Sequence, residues 1–160
     1  MAVPEFPGPF PLFGNPPLGF RFGVLFLVGG KIPNPLDIFF QKVSGLSSSV
    51  ETMEINEGGQ NLYTQSVPKK IKYGNLVLER GVVVGSPLVI EFNRTMSLFK
   101  FTPSNVLVTL LDNTRVPIAG WLFMNAYPVK WSVSDLDATA NSVVIETMEL
   151  AYQQMQVMRI

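Results

Sequence analysis

The stretch from Trp121 to Tyr152 restricts this chain more than any other. It reads W-L-F-M-N-A-Y-P-V-K-W-S-V-S-D-L-D-A-T-A-N-S-V-V-I-E-T-M-E-L-A-Y, two apolar segments around a polar turn at 134–141. The first segment is rich in aromatic and β-branched residues, which suit a pleated, half-buried surface. Pro128 removes one backbone donor, so that strand is broken, bulged or at an edge. The second segment, 142–152, fits two readings. As a strand it sets Val144, Met148, Leu150 and Tyr152 on one face and Val143, Ile145 and Ala151 on the other, with a Glu interrupting each. As a helix it sets Ile145, Met148, Tyr152 and Met155 in a stripe, and its Glu, Met, Leu, Ala and Gln favour that state. Local propensity leans to helix, and the residues alone leave the choice open.

The chain has 160 residues, enough for one domain with its own core. It has no Cys and no His, so thiol chemistry, disulfides and the commonest general base are all missing. Twelve basic and twelve acidic residues cancel, which suggests no polyanionic partner. Charged residues make up 15%, against about 25% in ordinary soluble domains. Mean hydropathy is +0.27. A polypeptide this poor in charge is expected to bury much of its surface against other subunits. The longest apolar run, 22–30, falls short of the ~20 residues of a membrane-spanning helix, so no membrane insertion is expected. The N-terminus shows no signal-peptide pattern.

Residues 1–19 interleave six prolines with Phe6, Phe10 and Phe13 and carry a single charge, Glu5. Such a segment can form neither ladder nor helix and favours extended polyproline conformations. It reads either as a loose terminus or as an arm packing along a neighbouring subunit. Residues 20–28 alternate as a strand, with Phe20, Phe22, Val24, Phe26 and Val28 on one face, and Gly29-Gly30 follows as a turn. Further strands are expected at 38–43 and 47–55. A long polar loop or hairpin tip is expected over 56–70. It holds Lys69 and Lys70 and ends just before Lys72, a cluster better read as a solvated strand end than as a nucleic-acid footprint. Residues 71–84 read as a strand.

Ser86 caps a helix over about 86–99, with Pro87 at its first position, where the missing donor costs nothing. Leu88, Phe92, Thr95 or Met96, and Phe99 mark its apolar face. Strands at 105–111 and 116–133 flank the turn at Asp112-Asn113-Thr114. About seven strands and one helix argue a mainly β sandwich or barrel with the helix outside it.

Little here points to chemistry. Asp135 and Asp137 are close, yet Asp in such a turn ordinarily bonds its own backbone. Glu146 and Glu149 are too few for a hard-cation site, and are expected to face solvent, a lumen, or a Lys or Arg on a neighbouring strand. Neither glycine pair, 29–30 or 58–59, has a phosphate-loop context. No enzyme activity, cofactor or metal is expected. A monomeric ligand-binding barrel would need Trp121 and Trp131 lining a pocket, whereas aromatic residues on strands more often serve core or interface.

Three strings, in order, resemble the tail-tube proteins of contractile phage tails and phage-like injection systems. They are K-V-S-G-L at 42–46, L-V-L-E-R-G-V at 76–82, and Y-P-V-K-W, D-L-D-A and V-V-I-E-T-M-E-L-A-Y within 127–152. The resemblance spans 20–152 and leaves 1–19 as an arm and 153–160 as an apolar tail. It implies that the last segment is a strand. It also implies six-membered rings whose strands complete a ring-wide β-barrel around a lumen, stacked into the inner tube of the particle. Partners would be further copies, a sheath protein, baseplate, spike or terminator proteins, and effector cargo in the lumen. The setting would be a phage tail or extracellular injection particle assembled in the bacterial cytoplasm. The additions at both ends keep open a specialised ring joining tube to baseplate or spike. Assembly contacts are expected at Phe6, Phe10, Phe13, Val43, Leu46, Leu78, Val82, Tyr127, Trp131, Val144, Ile145, Met148 and Leu150.

Overall fold

The computed structural model describes residues 19, 21–27, 37–56, 58–59 and 62–159. The elements run β1 (Phe22–Leu27), β2 (Lys42–Ser44), β3 (Ser48–Ile55), β4 (Gln65–Tyr73), β5 (Leu76–Gly81), α1 (Pro87–Leu98), β6 (Ser104–Leu111), β7 (Pro117–Val133), β8 (Ile145–Ala151) and β9 (Gln154–Arg159). Seven strands form one sheet in the order β1-β6-β7-β8-β5-β2, with β9 on β7, and β3-β4 stand apart as a hairpin. Every pairing is antiparallel.

The long strand β7 organises the molecule. Its first part, 117–126, pairs with β6, and residues 119–124 pair with β9 on the other side. Its last part, 127–133, pairs with β8. Between them Asn125 adopts a left-handed φ of 52°, and the register shifts between Pro128 and Lys130. Asn tolerates that conformation better than most residues. Pro128 thus sits at a bulge, one of the three places its sequence allowed. The bend turns the two halves of the sheet toward each other. One half supplies Val24, Phe26, Val106, Val108 and Phe123 to the core, and the other supplies Leu76, Leu78, Met148 and Leu150. The helix closes one side of this core with Leu88, Phe92 and Thr95, and Ser86 caps it by accepting from the Val89 amide. The mainly β fold with one helix is as expected. Among the expected stripe residues, Met96 is 42% exposed and Phe99 is 83% exposed, a left-handed C-cap rather than part of the buried face.

Three elements differ from the sequence reading. The expected strand at 38–43 is reduced to Lys42–Ser44. Asp37 is drawn into a buried polar cluster and Phe40 into the core, which pulls the preceding residues out of strand geometry. The expected strand at 71–84 divides into β4 and β5 at Gly74-Asn75, and β4 starts at Gln65 inside the expected loop. Pro68 is tolerated there because β4 pairs only with β3, with the register shifting opposite it. The tail from 153 on is a strand, because β7 offers an otherwise open edge to Gln154–Arg159. By contrast, 145–151 is a strand as the resemblance implied, against its helix propensity. It lies between β5 and β7, where alternate side chains are buried. Residues Phe20 and Val28, and the whole of 1–18, lie outside the described residues.

Candidate assembly surfaces

One buried polar cluster holds the subunit's parts in register. Arg80 on β5 faces Glu146 on β8, with Nε donating to Oε1 at 2.5 Å. Its Nη1 donates to Asp37 Oδ1 at 3.0 Å and its Nη2 to Ser86 Oγ at 2.7 Å. Ser86 Oγ donates to Asp37 Oδ1 at 2.5 Å, and the Leu88 amide donates to Asp37 Oδ2 at 3.3 Å. The guanidinium also lies 5.2 Å from the centre of the Phe40 ring. Two carboxylates meet one guanidinium here, and the N-terminus of α1 supplies partial positive charge. Glu146 therefore finds the Arg on a neighbouring strand that the sequence allowed. The sequence did not show that this strand pair is buried, with both residues 2% exposed. The one advance signal was polar residues in otherwise apolar strands.

The outer face of the β2-β5-β8-β7 half is polar. Strand register sets Lys42, Glu79, Thr147 and Ser132 in one row and Ser44, Val77, Glu149 and Lys130 in the next. Lys42 Nζ lies 3.0 Å from Glu79, and Asn75 Nδ2 donates to Glu149 at 2.8 Å. The two Lys and two Glu of these rows balance. Among the described residues both margins of this half have open backbone: β2 pairs only with β5, and residues 130–133 of β7 pair only with β8.

The β3-β4 hairpin is exposed almost throughout. Lys70 and Lys72 lie 3.5 and 3.7 Å from Glu51. These lysines are a solvated strand pair, as read from the sequence. Val50, Met53, Ile55 and Ile71 are 56, 50, 39 and 57% exposed.

Of the expected assembly residues, Leu78, Met148 and Leu150 lie in the subunit core and have no surface to offer a neighbour. Alternation had placed them correctly on one face, but that face is internal. Val43, Leu46 and Trp131 pack against the core, partly buried. Val144 and Ile145 are half-buried, and Tyr127 and Val82 are exposed at 37 and 47%. Phe6, Phe10 and Phe13 lie outside the described residues. Exposed apolar residues that the sequence reading did not single out include those of the hairpin and Phe39, 75% exposed.

Asp137 is solvent-exposed and bonds the Thr139 hydroxyl at 2.7 Å and its amide at 2.8 Å, the turn role expected of it. Those bonds, the hydroxyl first, hold its pKa below the ordinary 3.8. Trp121 and Trp131 both pack against the core rather than forming a shelf. Among the described residues no group of three or more acidic side chains could hold a metal, and no helix is long and apolar enough to cross a membrane.

The described residues thus form a bent, mainly β subunit with one flanking helix, open sheet margins and an exposed hairpin. The chain belongs to the T4-like virus tail tube protein gp19 family, whose model matches residues 18–156. It is 40% identical to a chain in the six-fold symmetrised baseplate of the anti-feeding prophage, covering 92% of this chain and 98% of that one with a TM-score of 0.84. A chain in the anti-feeding prophage cap is 21% identical over 100% of both, TM-score 0.79. A chain in the sheath-tube complex of an extracellular contractile injection system is 23% identical over 91% of this chain and 93% of that one, TM-score 0.75. A search of curated proteins found no match. The protein is a structural tail tube protein of contractile injection systems and not an enzyme.

Proposed function

We propose that this chain forms six-membered rings of the inner tube, and that its ring is the layer next to the baseplate. One contrast carries the second half of this reading. Within one particle, the anti-feeding prophage, the chain is 40% identical to a baseplate chain and 21% identical to a cap chain. Two different chains of this fold serve that particle, and this sequence is much nearer the baseplate one.

Ring closure uses the two open margins, the β2 edge of one copy pairing with the 130–133 edge of the next. That removes the exposed edges that would otherwise drive aggregation. The charge-balanced polar face of this half then lines the lumen through which cargo passes, and Tyr127 and Val82 remain available to neighbours. Sheath, spike and further tube rings are the partners outside the ring. The other reading, a repeating subunit along the whole tube, shares the ring and differs in copy number. Gold labelling of a tagged chain in purified particles tests this. Label at one end supports the baseplate layer, and label along the length of a sheath-stripped tube overturns it in favour of the repeating subunit.

A further inference from the structure

Phe99 is a bulky residue in a conformation that ordinarily belongs to glycine. It ends α1 with a φ of 51° and is 83% exposed. Helices commonly close on a left-handed residue, but that residue is usually Gly or Asn. A bulky side chain held there marks backbone strain, which clusters at ligand clamps and similar sites. The ring meets Phe101 edge to face at 5.1 Å, and Phe101 meets Tyr127 of β7 in the same way at 5.9 Å. Tyr127 thus braces an exposed two-ring shelf, Phe99 and Phe101. Lys100 stands between the two in sequence. With Arg94, Glu91 and Ile90 it lines an open cleft of about 580 Å³ beside α1. Among the described residues neither Arg94 nor Lys100 makes an ion pair or a side-chain hydrogen bond, so the cleft presents two unpaired cations.

Aromatic-lined grooves receive proline-rich P-x-x-P segments, whose extended conformation costs little entropy to dock. Cations beside such a shelf favour an acid within the segment. This chain carries a segment of that description. Pro4-Glu5-Phe6-Pro7 is a P-x-x-P string, and Glu5 is the only charged side chain in 1–19. The family model begins at residue 18, so the string lies outside the matched fold.

Reach permits docking on the same copy. The Leu111 amide donates to the Arg21 carbonyl at 2.8 Å, so the segment enters at the Leu111 end of β6. Phe101 precedes the other end, at Ser104. The eight residues of β6 span roughly 26 Å at ~3.3 Å each. Fourteen positions separate Glu5 from Gly19, and in a polyproline conformation they extend about 43 Å. A tether of this kind holds its end at a local concentration on the order of millimolar, so weak docking suffices.

We infer that Pro4-Glu5-Phe6-Pro7 docks on the Phe99–Phe101 shelf of its own copy, with Glu5 paired to Arg94 and Lys100. The contact lies within one subunit, so it goes beyond the ring-forming reading and stands or falls apart from it.

The chain has no cysteine, so Val3→Cys and Ser97→Cys place one thiol beside Glu5 and one a helical turn beyond Arg94. The double variant, kept dilute, is treated with a short bismaleimide and read by mass spectrometry. Most chains are expected as internally bridged monomers. Glu5→Lys in that background should cut the bridging several-fold, and adding Arg94→Glu with Lys100→Glu should restore it. Phe99→Gly keeps the left-handed cap, removes the ring and should cut the bridging as well. No bridging, although both thiols take a monofunctional maleimide, would overturn the inference. So would bridging that none of these substitutions changes. Bridged dimers without bridged monomers would put the segment on another copy and overturn it too.

Discussion

Arg80 shows how much one side chain can decide. It bonds Glu146, Asp37 and Ser86 while buried, and so ties β5, β8, the connector before β2 and the cap of α1 together. Removing one partner of a buried ion pair leaves uncompensated charge, at a cost of about 3–5 kcal/mol. Arg80→Met should therefore lower the urea midpoint of the subunit steeply. Adding Glu146→Leu should recover part of the loss. Tyr152 carries a pH prediction. Burial of its hydroxyl first, and neighbouring Tyr73 second, raise its pKa above the ordinary 10.0. As pH climbs past 10.0 the unfolded chain ionises before the folded one. Its contribution is thus full below that pH and is lost as pH rises through the folded value. Tyr152→Phe should flatten the stability profile above pH 10.0, measured by denaturation at stepped pH. At Asp137 the shift is downward, so its contribution is present above 3.8 and fades as pH falls through the folded value. Thr139→Ala should move the Asp137 titration back toward 3.8, read by NMR.

Among the elements, the kink between β2 and β3 is the most tightly specified. Gly45 has a φ of +84°, and a Cβ there would sit 1.8 Å from the Asn75 carbonyl oxygen. Only glycine fits both the conformation and the space. Gly45→Ala should cost at least the 1–3 kcal/mol typical of such backbone strain, about that much in denaturant unfolding, and should misalign the hairpin. Ring yield should fall more than subunit stability, because the hairpin is the element whose direction the kink sets. β8 makes the opposite point. Its residues favour helix, and pairing with β5 on one edge and β7 on the other makes it a strand.

At the scale of the whole molecule, low charge and open margins point the same way. The purified chain should associate with rising concentration, and light scattering of a persistent monomer would contradict the ring reading. Deleting residues 1–17 should leave the subunit folded, because the described strands and helix supply a core of their own. Weaker assembly of that variant would show that the arm clasps a neighbour, and unchanged assembly would show that it does not.

The sequence by itself determined the class of fold, the capped helix at Ser86-Pro87, the irregularity at Pro128 and the lack of His and Cys. These are local facts: a cap, a missing amide, a period of two, a missing residue type. Tertiary structure alone decided that β8 is a strand without appeal to resemblance and that Leu78, Met148 and Leu150 face inward. It also decided that Asp37, Arg80, Ser86 and Glu146 meet, and that 154–159 completes a sheet. Each of those depends on partners set by the fold, such as Ser86 and Glu146 on Arg80, 6 and 66 positions away. Alternation tells which residues share a face, and only the packed chain tells which face is covered.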